Sequence, residues 1–193
     1  MKYPENITAA SRLRPDFLGF IFWKQSPRYF DGIIPELPDA IKKVGVFVDA
    51  PLDEIISKAR QHQLDFVQLH GNETVAFCLS LKNQDIRVIK VFSIGEYFNF
   101  EIIQPYEAAC DYFLFDTKGK MPGGNGTAFN WKLLEGYSSS LPIFLSGGIG
   151  IKDIDAIRKL DFPVHAIDLN SKFEIRPGLK DIELLGQALQ LKK

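Results

Sequence analysis

Seven short runs of apolar and aromatic residues recur along the chain: "LGFIF" at 18–22, "VGVFV" at 44–48, "FVQLH" at 66–70, "VIKVF" at 88–92, "YFLFD" at 112–116, "PIFLS" at 142–146 and "HAIDLN" at 165–170. A strand with one wet face alternates apolar and polar residues. Most of these runs do not alternate, which predicts strands buried on both faces, as in a covered parallel sheet. Helix-like stretches separate them. "LDEIISKARQHQ" at 52–63 sets Leu52, Ile55, Ile56 and Ala59 on one stripe, and "NETVAFCLSLK" at 72–82 opens on Asn72 as a candidate N-cap. "IKDIDAIRKL" at 151–160, "DIELLGQALQLKK" at 181–193 and the opening stretch at 4–13 carry similar patterns.

Strand–helix units repeating every 20–30 residues or so predict parallel strands joined by right-handed crossovers. Two architectures fit, an open doubly wound sheet and a (β/α)8 barrel. No G-x-G-x-x-G follows the first strand, which favours the barrel. The segment 23–43, "WKQSPRYFDGIIPELPDAIKK", holds three prolines, so the helix expected there should be broken or short. Seven strands are legible, and the chain opens on the helix that should follow an eighth. The expectation is therefore a single barrel domain over 1–193, an α/β fold of the (β/α)8 TIM-barrel class, truncated at its N-terminus by one strand. Its strands at 18–22 and 165–169 would then carry unpaired edges, favouring dimerisation, swapping or reduced stability.

Charge limits the partners. Lys and Arg number 23 against 24 Asp and Glu, for a net charge of −1, so there is no basic field for nucleic acid or an anionic membrane. A small anion could still be held by backbone amides. Cys78 and Cys110 lack C-x-x-C spacing and predict reduced thiols in a cytoplasmic protein. No signal-peptide pattern opens the chain, and no apolar run is long enough to span a membrane.

Barrel chemistry sits at the C-terminal ends of strands. There the sequence places Arg28, then His70 and Gly71, then Asp116 with a glycine-rich stretch containing Gly123, Gly124 and Gly126, then "SGGIG", and finally "DLNSKFEIRPG". Gly147 and Gly148 before a helix, with Asn170 and Ser171 from the last strand, suit a phosphate cradle of backbone N–H groups. Asp116 could be a strand-end loop cap, or a carboxyl raised by a low-dielectric mouth into a general acid. The glycine-rich stretch reads as a lid. Arg28 could be a solvated loop residue or the partner of a substrate carboxylate. His70 could simply be a satisfied ring, and Asp168 could bond a sugar hydroxyl or orient a loop.

The segments "SPRYF", "KKVGVFVD", "DFVQLHGNE", "LFDT…GGNGTAFNW", "LSGGIG" and "AIDLNSKFEIRPGLKD" together resemble the phosphoribosylanthranilate isomerases of tryptophan biosynthesis, in order from about residue 4 to the end. The resemblance implies a small cytoplasmic (β/α)8 barrel, monomer or homodimer, that uses no metal or organic cofactor. It implies an Amadori rearrangement of N-(5′-phosphoribosyl)anthranilate to 1-(2-carboxyphenylamino)-1-deoxyribulose 5-phosphate. By motif it makes Asp116 the general acid, Arg28 the partner of the anthranilate carboxylate, and Gly147, Gly148, Asn170 and Ser171 the phosphate site. His70 and Asp168 fall among the substrate-binding positions. Asn125 and Asn130 depart mildly from the pattern.

The family's opening strand, roughly K-x-C-G-M, carries the general-base cysteine, and Met1 of "MKYPENI" stands where that motif has its methionine. The resemblance thus implies that the base lies outside this chain, which would impair it. Cys78, on an outer helix, and Cys110, at the wrong end of a strand, suit core positions better. A non-catalytic phosphate-binding barrel is the alternative from another class. An epimerase would want several metal-ligating residues at strand ends, where His70 alone qualifies. An indoleglycerol-phosphate synthase would want strand-end lysines with matching glutamates, and Lys90 sits inside a strand.

Overall fold

Residues apolar on both faces pair as expected, and the pairing order fixes the architecture. The computed structural model describes residues 1–95, 97–117, 131–160, 162 and 164–191. Its strands are β1 (Phe17–Ile21), β2 (Lys42–Phe47), β3 (Phe66–Leu69), β4 (Val88–Ile94), β5 (Tyr112–Thr117), β6 (Ile143–Ser146) and β7 (Val164–Ile167). They form one seven-stranded parallel sheet in the order β1 to β7. The sheet curls on itself: Phe17 of β1 meets Phe144 of β6 at 4.9 Å and His165 of β7 at 6.1 Å between ring centroids.

Two apolar layers follow. The concave face buries Val44, Phe66, Ile89, Val91, Leu114 and Phe144, with Phe17, Tyr112 and Ala166 against them, so every strand contributes. The other face packs Phe20, Phe47, Val67, Leu69, Phe113, Phe115 and Leu145 beneath the helices. This is the layering of a (β/α) barrel with seven of its eight strands.

The helices are α1 (Pro4–Ser11), α2 (Leu52–His62), α3 (Val75–Lys82), α4 (Ile151–Arg158) and α5 (Ile182–Gln190). In α2, Ile55, Ala59 and His62 are buried, and Asp53 and Glu54 in the first turn suit the positive end of its dipole. The proline-rich segment forms no helix, and Phe30 is buried beneath it with its N–H on the Ile21 carbonyl at 2.7 Å. The helix expected from Asn72 starts later. Thr74 is its N-cap, accepting from the Phe77 N–H at 3.3 Å, while the Asn72 N–H is taken by Asp49 Oδ1 at 2.6 Å. After β4 and β5 the described helices are 3-10 segments, Phe100–Tyr106 and Trp131–Gly136. No described helix is long and apolar enough to cross a membrane.

One element had no counterpart in the sequence pattern. β8 (Glu174–Arg176) and β9 (Leu179–Lys180) form a small antiparallel pair around Gly178, whose φ of 82° lies in the left-handed region. Asn6 of α1 clamps it, accepting from Lys180 N–H at 2.8 Å and donating to Lys180 O at 2.9 Å.

β1 and β7 are the outer strands of the sheet, as the strand count implied. The Met1 nitrogen donates to the outward carbonyl of Gly19 on β1 at 2.7 Å, so the residues ahead of α1 already run beside that edge. An added parallel strand ahead of Met1 is therefore expected to fill the space between β1 and β7 and raise the melting temperature. Thermal unfolding of the chain with and without a fused K-x-C-G strand checks this, and equal midpoints would contradict it.

Candidate functional site

Because all seven strands are parallel, the residue following each one lies on the same rim, and the polar residues singled out in the sequence gather there. Asp116 ends β5 opposite Ser146 of β6 in the pairing register. His70 follows β3, and its Nε2 lies 3.3 Å from Asp116 Oδ2, both side chains about one-third exposed at 33% and 30%. Asp168 follows β7, held by its N–H on the Leu145 carbonyl at 2.7 Å. Its Oδ2 accepts from the Ser146 hydroxyl at 3.3 Å. His70, Asp116, Ser146 and Asp168 thus form one polar arc over four strand ends.

The carboxyl that burial visibly perturbs in this arc is Asp168. Burial pushes it above the ordinary carboxylate range, Lys180 opposes that rise, and Asp116 adds to it.

Gly147 (φ 108°) and Gly148 (φ 63°) both lie in the left-handed region, where a side chain would be strained. They lead through Gly150, the N-cap residue whose N–H is held by Asp153 Oδ2 at 2.8 Å, into α4. Across from them, Asn170 and Ser171 open a short 3-10 turn anchored by fully buried Phe173. Lys180 sets this turn: its Nζ donates to Leu169 O at 3.0 Å, to Asn170 O at 3.1 Å and to Asn170 Oδ1 at 3.0 Å. Both oxygens of Asn170 are thus engaged by Lys180.

Arg28 lies beyond β1, and its guanidinium is not simply solvated. Nε donates to both oxygens of Glu174, at 3.0 and 2.9 Å. Burial pushes the Glu174 carboxyl up, but the Arg28 hydrogen bonds and the Lys180 charge outweigh it and hold the group below its usual range. The candidate lid residues Gly123, Gly124 and Gly126, like Asn125 and Asn130, fall outside the described residues.

Beneath His70 sits a buried ion pair that sequence reasoning missed. Lys90 Nζ lies 2.7 Å from Glu73 Oε2, with the side chains 3% and 2% exposed. Lys90 also donates to Gly71 O at 2.8 Å, while Glu73 accepts from the Asp49 and Gly71 N–H groups at 3.0 and 3.2 Å. The pair fixes the His70–Gly71 turn from below. Lys90 does have a glutamate partner, then, but one supplied by the turn rather than by a strand end. The available signal was a lysine inside an apolar strand, which needs a buried counter-charge.

Both cysteines are buried. Cys78 lies on α3 and Cys110 precedes β5, in the layer between sheet and helices, away from the strand ends that carry the arc.

Comparison with known proteins bears on the family and the fold. Residues 1–191 match a sequence profile described as N-(5′-phosphoribosyl)anthranilate (PRA) isomerase. A Parabacteroides distasonis protein named N-(5′-phosphoribosyl)anthranilate isomerase is 42% identical over 197 residues, covering 98% of this chain and 89% of that protein. A Phocaeicola vulgatus protein of the same name is 42% identical over 182 residues, covering 94% and 89%. The crystal structure of phosphoribosyl anthranilate isomerase from Thermotoga maritima superposes with a TM-score of 0.88 at 28% identity, over 99% of this chain and 94% of that one. Another phosphoribosyl anthranilate isomerase, solved in complex with reduced 1-(o-carboxyphenylamino)-1-deoxyribulose 5-phosphate, gives 0.79 at 27% identity over 98% and 93%.

Two outcomes test the electrostatics. Lys90→Met leaves the Glu73 charge buried and unpaired, which should cost about 3–5 kcal/mol in urea unfolding. Adding Glu73→Gln, which keeps an acceptor for the two N–H groups, should recover part of that loss. Asp168, with its folded-state affinity for the proton raised, contributes stability that is present at acid pH and lost as pH rises through that raised value. Asp168→Asn cannot ionise, so its melting temperature relative to the unsubstituted protein should improve as pH rises above the ordinary carboxylate range.

Proposed function

The chain belongs to the N-(5′-phosphoribosyl)anthranilate isomerase family of tryptophan biosynthesis, and on that premise we propose how its residues divide the family's aldose-to-ketose rearrangement. The single observation that carries the assignment is the polar arc from His70 through Asp116 and Ser146 to Asp168, flanked by the Gly147–Gly148 turn.

The substrate carries an ester phosphate at one end and an aromatic carboxylate at the other. The phosphate seats on the backbone N–H groups of Gly147, Gly148, Asn170 and Ser171, where the N-terminus of α4 adds positive potential. The carboxylate meets Arg28. Between them, the ribose lies over the arc, within reach of His70 and Asp168.

Asp116 protonates the furanose ring oxygen, the C1′–O bond breaks, and the nitrogen lone pair forms the Schiff base. A base then removes the C2′ proton, and the electron pair flows into the C1′–C2′ bond and neutralises the iminium. The resulting enolamine tautomerises to the C2′ ketone. In the family pattern that base is the cysteine of a K-x-C-G strand, and neither Cys78 nor Cys110 lies near the arc. His70 beside Asp116 holds its carboxyl toward the ring oxygen and offers a proton donor to the carboxylate left after transfer.

The test is the loss of phosphoribosylanthranilate fluorescence, followed for the 193-residue chain and for a form carrying a K-x-C-G strand ahead of Met1. The extended form should turn over faster, and Asp116→Asn in it should lower kcat by about 10²- to 10⁴-fold. Turnover untouched by Asp116→Asn would remove the acid assignment. Phosphate-ester binding without turnover in either form would favour a binding-only barrel.

A further inference from the structure

Arg28 and Glu174 stand 146 residues apart in the chain and meet at the rim. Besides its two Nε contacts, the guanidinium places NH2 2.7 Å from Glu174 Oε2, with the glutamate side chain 3% exposed. The carboxylate is itself fixed from behind. It accepts from the Gly178 N–H at 3.2 Å and lies 3.5 Å from Lys180 Nζ, while Asn6 clamps the backbone of Lys180 in both directions. The anchor therefore runs from α1 through the β8–β9 pair to the guanidinium.

A guanidinium presents its five N–H groups in a rigid planar fork with two usable edges. Glu174 occupies the edge formed by Nε and NH2. The edge formed by NH1 and the second N–H of NH2 is turned away from Glu174 by that same planarity. An arginine on a loop otherwise samples many rotamers, and holding it in one removes that entropy cost before a ligand arrives. Glu174 also brings a negative charge into the neighbourhood. The positive charge of Lys180 offsets it, so the Arg28–Glu174–Lys180 cluster stays net positive toward an anion.

We propose that Glu174 is a positioning residue that aims the outer edge of the Arg28 fork at the aromatic carboxylate of the substrate. This rests on the assignment of Arg28 to that carboxylate. A glutamate that merely stapled β8 to the loop after β1 would support the whole pocket equally. A glutamate that aims Arg28 affects only ligands that use the fork.

The distinguishing measurement is calorimetric binding to the full chain of two probes: reduced 1-(o-carboxyphenylamino)-1-deoxyribulose 5-phosphate, and the same compound without its ring carboxylate. Glu174→Ala should weaken the first by about 10- to 100-fold, the loss expected for a charge-assisted contact. It should weaken the second by less than about twofold. In an Arg28→Ala background the same substitution should change neither, because the two residues act as one unit. Should Glu174→Ala fail to fold, Glu174→Gln keeps the shape and should give a smaller loss with the same selectivity. Equal loss for both probes, or a loss that persists without Arg28, overturns the proposal. Failure of the unsubstituted chain to bind either probe would instead strike at the functional assignment, and it is seen before any substitution is made.

Discussion

Consecutive strands pair in parallel, and everything else in the molecule follows from that constraint. Parallel pairing sends every connection back across the outer face, so the sheet must be apolar on both sides and its polar residues have nowhere to go but the ends. Phe17, Phe66, Tyr112, Phe144 and His165 fill the concave face with contacting rings. Ionisable side chains at the C-terminal rim are therefore brought together by the register itself. Asp116 faces Ser146 because Phe115 faces Leu145.

Two charged networks then make a rim out of loops. Glu73 and Lys90 hold the turn carrying His70, and Lys180 and Glu174 hold the Asn170 turn and Arg28. The Lys90–Glu73 and Lys180–Glu174 pairs set opposite charges almost out of contact with water, which is costly unless the remaining donors and acceptors are satisfied. They are satisfied here largely by backbone groups of the loops being held: Asp49, Gly71, Leu69, Asn170 and Gly178. Among the described residues no buried side-chain polar atom lacks a partner. These pairs and their backbone hydrogen bonds therefore stabilise loop conformations rather than the core, which the aromatic layers already secure.

Legibility in the sequence divided along the same line. All seven strands could be placed from local apolar runs, since burial on both faces leaves a mark within five or six residues. That no regular helix would run through 23–43 was legible in its prolines, which predicted a broken or short one, and the structure has none there. Asn72 misled, because an asparagine before a helix looks like a cap until Asp49, 23 residues earlier, is seen to take its N–H. Asp116, His70 and Asp168 were legible as strand-end polar residues. Glu174 and Lys180 were not, although both lie in a segment already singled out. Their roles depend on partners brought close by sheet closure, with 146 residues between Glu174 and Arg28 and 174 between Lys180 and Asn6.

The long separations bear on how the site and the open sheet edges depend on one another. Arg28 follows β1 and Asp168 follows β7, so the two outer strands carry two of the groups proposed to face the substrate. Among the described residues no β1–β7 ladder joins them. Besides the Phe17–His165 ring contact, that side is bridged by the Asn6 clamp on β9 and the Arg28–Glu174 pair, both made by residues from opposite ends of the chain. A strand inserted between β1 and β7 would carry the same load through a continuous ladder of backbone hydrogen bonds, which is stiffer than side-chain contacts between separate loops. The anchoring of Arg28 and the closure of the sheet are thus two solutions to one mechanical problem, and loosening either should be felt first at the end of the site where Arg28 is proposed to meet the carboxylate.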